Sequence, residues 1–243
     1  MPAYRPFPGD RAQQVSGWSA LLVSSQTVDV ESRRRIAAQP AQRKVTVFIY
    51  RETTRRPEVV LVWHAGGGLQ VPAGSVEPEE SFEQAALREG REETGLTDVE
   101  IVEALLTQTW DVAGPRALLT SAVQLHTRPA GEATGWSLGR TSVELVEIAD
   151  DWALVRYQER DLEDPDGLVI AQLTGWVPAH VLTLRQHRQF FLARSADTRL
   201  ESWQQQGEPA HAFTVAWHPV HPRPAVVPEQ QPWLDRLDRM LSR

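Results

Sequence analysis

Three glutamates, Glu89, Glu92 and Glu93, have the spacing in this chain that points most clearly to chemistry. Positions i, i+3 and i+4 share one face of a helix, so the three carboxylates would crowd together. Near the carboxyl end of a helix, the dipole disfavours each negative charge by roughly 0.3–1 kcal/mol. A hard divalent cation would reverse that cost, because Mg²⁺ prefers carboxylate and phosphate oxygens. The alternative is a solvated acidic face, partly neutralised by Arg88 and Arg91.

The helix that must position these glutamates is predicted to run from Pro78 to Thr94. Proline suits the first helical position, and the acidic residues that follow it suit the first turn. Gly95 suits the left-handed residue just past a helix end. Apolar or small residues recur at four-residue spacing and define the buried side of the helix, namely Phe82, Ala86 and Gly90.

The stretch from Gly74 to Leu96 resembles the box of the Nudix hydrolases. It has the box glycine, a glutamate six residues later, an Arg-Glu pair, a Glu-Glu pair, and a final glycine followed by an aliphatic residue. Gly90 departs from the pattern, since the family usually has an aliphatic residue there. This departure affects packing under the helix and removes no ligand.

The resemblance assigns roles to individual residues. In the family the three glutamates bind Mg²⁺ or Mn²⁺, which carries over to Glu89, Glu92 and Glu93. The backbone carbonyl before the box glycine is often a further ligand, and here it belongs to Ala73. Structural support of the box would come from Gly74 and from an ion pair that holds the loop to the helix, formed by Glu80 and Arg88.

The function implied by the resemblance is Mg²⁺- or Mn²⁺-dependent hydrolysis of a diphosphate bond in a nucleoside diphosphate linked to another moiety. The general base is a box glutamate or a glutamate from a loop near the last strand, for which Glu201 and Glu208 are candidates. Trp203 is a candidate for stacking on the base of a nucleotide. The alternative is a Nudix-fold module that senses a nucleotide or binds a partner without turnover. The complete glutamate set favours the enzyme.

The expected fold class is α+β, a Nudix α/β/α sandwich with a mixed sheet, plus an inserted small all-β, barrel-like subdomain. Residues 1–38 would form an N-terminal extension with a strand over 18–24 and a helix over 30–38. The Nudix core would comprise residues 39–110, including the box at 74–96, and residues 186–243, which contain a polar loop at 195–210 and a C-terminal helix. Residues 111–185 would form the insert.

The segment from Ser142 to Leu182 resembles a small bacterial Src-homology-type barrel. An acidic turn before Trp152 and the run Gly-Trp-Val around Trp176 stand where that family has them. Such barrels often bind peptides through exposed aromatic side chains. For Trp152, Tyr157 and Trp176, filling a small core is the favoured alternative.

Composition limits the partners of the chain. The net charge of −7 argues against general binding to nucleic acid or to anionic membranes. Without cysteine the chain has no disulfides, zinc–thiolate sites or thiol nucleophiles. No apolar run predicts a membrane span and no signal-peptide pattern is evident, so we expect a cytoplasmic protein. The resemblance to the Nudix hydrolases, which often form dimers, makes a homodimer a further, open expectation.

Overall fold

The computed structural model describes residues 28–54, 56–64, 67–160, 164, 166–197, 201–206, 212–222 and 224–241. The chain divides into two compact units. The first contains residues 1–40, 112–157 and 173–184, and the second contains residues 41–111, 158–172 and 185–243. The strand predicted over residues 18–24 lies outside the described residues.

The helices and strands follow one another in this order: α1 Val30–Ala37, β1 Gln42–Arg51, β2 Glu58–His64, β3 Gly68–Gln70, β4 Ala73–Ser75, α2 Phe82–Thr94, β5 Glu100–Asp111, β6 Arg116–Leu119, β7 Val123–His126, β8 Ala133–Leu138, β9 Ser142–Ala149, β10 Trp152–Arg160, β11 Val169–Pro178, β12 Leu182–Thr183, β13 Arg185–Arg194, β14 Ser202–Gln206, β15 Ala212–Pro219 and α3 Gln231–Leu241. A short 3-10 turn, Ala179–Val181, lies between β11 and β12. No helix in the described part of the chain is long and apolar enough to cross a membrane.

The second unit contains a mixed sheet of eight strands. Its main order is β14-β15-β2-β1-β13-β5, and β3 and β4 pair with β2 and β1. Strands β1 and β13 are parallel, whereas β5 and β15 pair antiparallel with their neighbours. The polar loop predicted over residues 195–210 is wrong in part, because residues 202–206 form strand β14 beside β15.

Both faces of this sheet are covered by apolar packing. Side chains alternate along a strand, so Val47 and Ile49 pack on the α2 side, whereas Phe48 packs on the α3 side. The α2 side buries Ala85 and Ala86 of the helix; the α3 side buries members of the last helix, Leu234 and Leu237. The mixed sheet between helices agrees with the expected α+β fold.

Helix α2 begins four residues later than predicted. Ser81 is its N-cap, with a capping box in which Ser81 Oγ accepts from the Gln84 N–H and the Gln84 side chain accepts from the Ser81 N–H. Glu79 has φ 65° in the turn that precedes the helix, so Pro78 cannot begin it. The helix ends as expected, at a left-handed Gly95 with φ 71°.

Gly90 brings α2 close to strand β1. A Cβ added at this position would lie 3.1 Å from Ile49 Cδ1 and 3.6 Å from Val47 Cγ1. The glycine therefore sits at the point of tightest helix–sheet approach. This accounts for its presence in the middle of a helix, where it costs about 1 kcal/mol relative to alanine.

The first unit contains a sheet of seven strands in the order β12-β6-β9-β10-β11-β7-β8. The predicted strand from Ala117 to His126 is divided in two, because residues 120–122 separate β6 from β7. Ile36 of α1 is buried in the core of this unit, against which Tyr157 also packs. The predicted helix near residue 30 is thus part of a packed core.

Candidate functional site

The Ala73 N–H and the Ser75 carbonyl of strand β4 point toward α2. The Val47 N–H donates to the Pro72 carbonyl at 3.0 Å, on the side of β4 that faces β1. Because ladder bonds alternate along an antiparallel pair, Ala73 and Ser75 direct their N–H and C=O groups away from β1. These outward groups are the backbone atoms that the side chains of α2 reach.

Glu93 binds the outward side of Ala73. Its carboxylate accepts the Ala73 N–H at 3.1 Å. In an extended residue the N–H and the C=O point to the same side, so the Ala73 carbonyl also lies on the Glu93 side. Burial raises the pKa of the Glu93 carboxyl to about 8, with a further contribution from the Glu89 charge, while the Ala73 N–H opposes the rise.

Glu89 lies directly against Gly74. A Cβ added at position 74 would overlap the carboxyl carbon and both oxygens of Glu89. The Glu89 side chain is only 13% exposed. Burial raises its pKa, and the positive charge of Arg88 counteracts that rise. The first glycine of the box is therefore required by this carboxylate, whose place a methyl group would take.

Arg88 joins the loop to the helix. Its Nε and Nη2 donate to the two carboxylate oxygens of Glu80, both at 3.0 Å, and Nη2 also donates to the Ser75 carbonyl at 2.8 Å. Nη1 donates to Glu89 at 2.9 Å and to Glu92 at 3.0 Å. These bonds, the one to Glu80 first, raise the pKa of Arg88 above its ordinary value. The guanidinium is thus fixed by three carboxylates and one carbonyl.

The donors around Ala73 fit a hard divalent cation. Glu89 and Glu93 bring buried carboxylates to β4, and the Ala73 carbonyl faces the same side. All these donors are oxygens, the ligands that Mg²⁺ and Mn²⁺ take. Glu92 is 58% exposed on its side chain and would have to leave Arg88 to join them. Accordingly, the described ranges contain no ready-made group of three acidic, histidine or cysteine ligands.

Strand β14 lies against the carboxyl end of α2. Trp203 Nε1 donates to the Thr94 carbonyl at 2.7 Å, and its ring centroid lies 6.3 Å from that of Trp217. Gln205 Nε2 donates to the Glu92 carbonyl at 3.2 Å. The sequence prediction missed both bonds, although the alternating exposure of β14 marks its inward positions. Stacking of Trp203 on a nucleotide base stays a prediction.

Glu201 stands just before β14. It is exposed, and its carbonyl accepts the Trp217 N–H at 2.9 Å. Among the contacts of the described residues, none joins the Glu201 side chain to the box glutamates. Glu208 lies outside the described residues.

Arg188 is a candidate that the sequence prediction missed. Its Nη1 donates to the Val45 carbonyl at 3.1 Å and to Thr46 Oγ1 at 2.7 Å, and its guanidinium carbon lies 5.0 Å from the Trp233 ring centre. Its Nε is buried and has no hydrogen-bond partner within the described ranges, and burial lowers the pKa of Arg188 to about 10. In the part of the chain that the structure describes, no carboxylate pairs with it. The signal in the sequence is its alternation with Phe190, which places both on the α3 side.

Comparison with known families identifies one domain. Residues 40–137 match the family model described as NUDIX domain. This confirms the Nudix domain expected from the box, for that part of the chain. The resemblance of the later strands to a Src-homology-type barrel stays a prediction. No curated protein sequence matches the chain significantly.

Several solved structures are similar to this chain at low levels. An Ap4A hydrolase from C. elegans has 14% identity and a TM-score of 0.41, covering 83% of this chain and 99% of that one. The NUDIX domain of Shewanella oneidensis NrtR, complexed with ADP ribose, has 15% identity and a TM-score of 0.39, covering 88% and 94%. A Nudix-family hydrolase from Clostridium perfringens has 14% identity and a TM-score of 0.38, covering 84% and 97%. We draw no functional conclusion from similarities at this level.

Proposed function

We propose that this chain is a Mg²⁺- or Mn²⁺-dependent Nudix hydrolase that cleaves a diphosphate bond in a nucleoside diphosphate linked to another moiety. One observation carries the proposal: the carboxylates of Glu89 and Glu93 are buried against β4, on the side to which the Ala73 carbonyl points. Two desolvated carboxylates near each other are unfavourable without a cation. The match of residues 40–137 to the NUDIX domain supports the same conclusion.

The cation would be held by Glu89, Glu93 and the Ala73 carbonyl, with Glu92 as the third carboxylate. When bound, Mg²⁺ or Mn²⁺ supplies charge neutralisation at the diphosphate oxygens and lowers the pKa of water. The remaining contributions come from the chain itself.

Arg88 has a positioning role in this scheme. By binding Glu80 and the Ser75 carbonyl at once, it fixes the loop that presents Ala73 to the helix. The missing side chain of Gly74 leaves the space in which Glu89 approaches that loop. Glu89 and Glu93 are therefore placed before any ligand arrives, which lowers the reorganisation needed during reaction.

The general base, which accepts a proton from the attacking water, would be an exposed carboxylate. A general base must reach the water that attacks phosphorus. Glu92 is the box glutamate that meets this requirement, because its side chain is 58% exposed. The Glu92 carboxylate oxygen that does not hold the cation would accept the proton of that water. Glu201 is the alternative base, from the segment that leads into β14.

Anionic parts of the substrate would be bound by cations on the α3 side of the sheet. Arg188 and Lys44 are paired in register on neighbouring strands, and Lys44 Nζ donates to Ser75 Oγ at 2.7 Å beside the box. Among the described residues no carboxylate pairs with Arg188 and its Nε has no partner, which suits a group that meets an anionic ligand. A cytoplasmic location and a homodimer stay expectations from the sequence.

Hydrolysis of a panel of nucleotide derivatives with Mg²⁺ or Mn²⁺ tests the proposal. Glu93→Gln should abolish most turnover while folding stays intact, because it removes a charged ligand. Glu83→Gln is the matched control, since Glu83 is an exposed glutamate in the first turn of the same helix. Full activity of Glu93→Gln would refute the site. Nucleotide binding by the unmodified protein without any turnover would instead establish the alternative, a sensing module.

A further inference from the structure

The last carbonyls of α2 are bound by side chains of another element. A helix leaves its final four C=O groups without intrahelical partners. In α2 the Glu92 carbonyl accepts from Gln205 Nε2 at 3.2 Å, and the Thr94 carbonyl accepts from Trp203 Nε1 at 2.7 Å. The two donors are two residues apart on β14, so they project from the same face of the strand.

Gly95 makes this approach feasible. A Cβ added at position 95 would overlap the side-chain amide of Gln205. The glycine thus serves two purposes, since its φ of 71° also ends the helix. Trp203 is held from its other side by packing with Trp217 in the core on the α2 side. Both donors therefore have defined positions.

Both donors are electrically neutral, which suits a helix end that is to hold a cation. Lysine or arginine commonly binds the last carbonyls of a helix and interacts favourably with its dipole. Here a positive side chain would lie beside Glu92 and Glu93 and would repel a divalent ion. An indole and an amide satisfy the same carbonyls and leave the negative potential in place.

We propose that Trp203 and Gln205 are positioning residues, which fix the carboxyl end of α2 and thereby the backbone that carries Glu92 and Glu93. The inference rests on the proposed hydrolase function for its catalytic consequence. It assigns the indole N–H of Trp203 to the helix, whereas a base-stacking role would use the ring face.

The test uses four variants of the full chain. Trp203→Phe removes the N–H donor and keeps a ring, and Gln205→Ala removes the amide. Gln204→Ala is the matched control, because Gln204 is the neighbouring glutamine and its Nε2 donates away from the helix, to Thr214 Oγ1 at 2.9 Å. Gln205→Lys keeps a donor but adds a charge at the helix end.

Hydrogen exchange, Mn²⁺ affinity and kcat are expected to change together. Native-state hydrogen exchange at residues 93–96 should quicken about tenfold in Trp203→Phe and in Gln205→Ala, and should not change in Gln204→Ala. The Mn²⁺ dissociation constant should rise about tenfold in the same two variants, the scale seen for outer-shell partners of metal ligands. The kcat should fall while KM for the nucleotide stays constant. Gln205→Lys should restore slow exchange but not Mn²⁺ affinity.

Exchange rates equal to those of the unmodified chain in both variants would overturn the inference. So would a Trp203→Phe variant whose KM rises in a base-dependent manner while Mn²⁺ affinity is unchanged, because that result assigns Trp203 to the substrate. If the unmodified chain neither binds Mn²⁺ nor cleaves any nucleotide, the proposed function fails. The hydrogen-exchange comparison then decides the positioning role by itself.

Discussion

Replacing Gly74 by alanine should lower activity without lowering the free energy of unfolding. The new Cβ would overlap the Glu89 carboxylate, which is the mobile end of a long side chain and can swing into solvent. Leaving its buried position removes a desolvation penalty, and Gly→Ala also lowers the entropy of the unfolded chain by about 0.4–1 kcal/mol. We therefore expect metal-free Gly74→Ala to be as stable as the unmodified protein, or up to about 1 kcal/mol more stable.

Activity should respond in the opposite direction. A displaced Glu89 no longer faces the side of β4 on which the cation would be held, and misplacement by about 1 Å at a reacting site can lower turnover roughly 100-fold. Steady-state hydrolysis and urea unfolding of the same sample measure the two quantities. Because the substitution acts through Glu89, Gly74→Ala combined with Glu89→Gln should lose no more activity than Glu89→Gln alone.

Gly90→Ala is the control, because it is the same Gly→Ala change made on helix α2, at a position where the new Cβ faces β1 and no glutamate. Its Cβ would meet Ile49 Cδ1 at 3.1 Å, so a packing penalty of about 1 kcal/mol offsets the gain in helix propensity of about 1 kcal/mol. Activity should stay within about threefold, because no carboxylate moves. Equal activity losses in both variants, or full activity in Gly74→Ala, would refute the reasoning.

Three further perturbations test separate parts of the structure. The pKa of Glu93 is about 8 in the fold against an ordinary 4.5, so the metal-free protein should lose up to about 5 kcal/mol of unfolding free energy between those pH values. Glu93→Gln or saturating Mg²⁺ should flatten this dependence in urea titrations at pH 5 and pH 9, and a flat profile for the metal-free protein would contradict the burial. Arg188→Met should raise the KM of an anionic nucleotide about tenfold. Its unfolding free energy should change little, because loss of the buried unpaired Nε offsets loss of the bonds to Val45 and Thr46. An unchanged KM excludes Arg188 from binding. Removing residues 112–184, which include residues 158–172 of the second unit, and joining Asp111 to Arg185 by a short turn should leave residues 41–111 and 185–243 unfolding cooperatively by circular dichroism. Asp111 and Arg185 are opposite in register and ion-paired at 2.9 Å, so a short turn can join them. A molten product would show that the remaining residues depend on the removed ones.

The parts of the site that were predictable are the local ones. The placement of the three glutamates on one helix follows from spacing alone, and Gly95 ends that helix as its residue type indicates. The start of the helix differs from the expectation because the capping box formed by Ser81 and Gln84, three residues apart, is a stronger start signal than Pro78. That signal was present in the sequence.

The tertiary features of the site could not be predicted from the sequence. The need for Gly74 arises from a carboxylate fifteen residues away in the chain, and no local pattern shows their overlap. The polar sequence of β14 predicts a loop, yet Trp203 and Gln205 alternate with more exposed residues along this edge strand. Arg188 lies in a strand whose apolar sequence predicts core packing. That its Nε has no partner among the described residues is a tertiary property, which the sequence does not indicate.

The parallel pairing of β1 with β13 has a consequence for how the protein is made. Residues 42–50 align with residues 186–194, so the sheet beneath helix α2 gains its strand β13 only from a segment that the ribosome releases much later. Until then the box has been synthesised, but β13, β14 and β15 are still missing from the sheet. Pairings of such long sequence separation form slowly. A polypeptide that stops short of β13 would carry every glutamate of the box and still lack the platform on which they act.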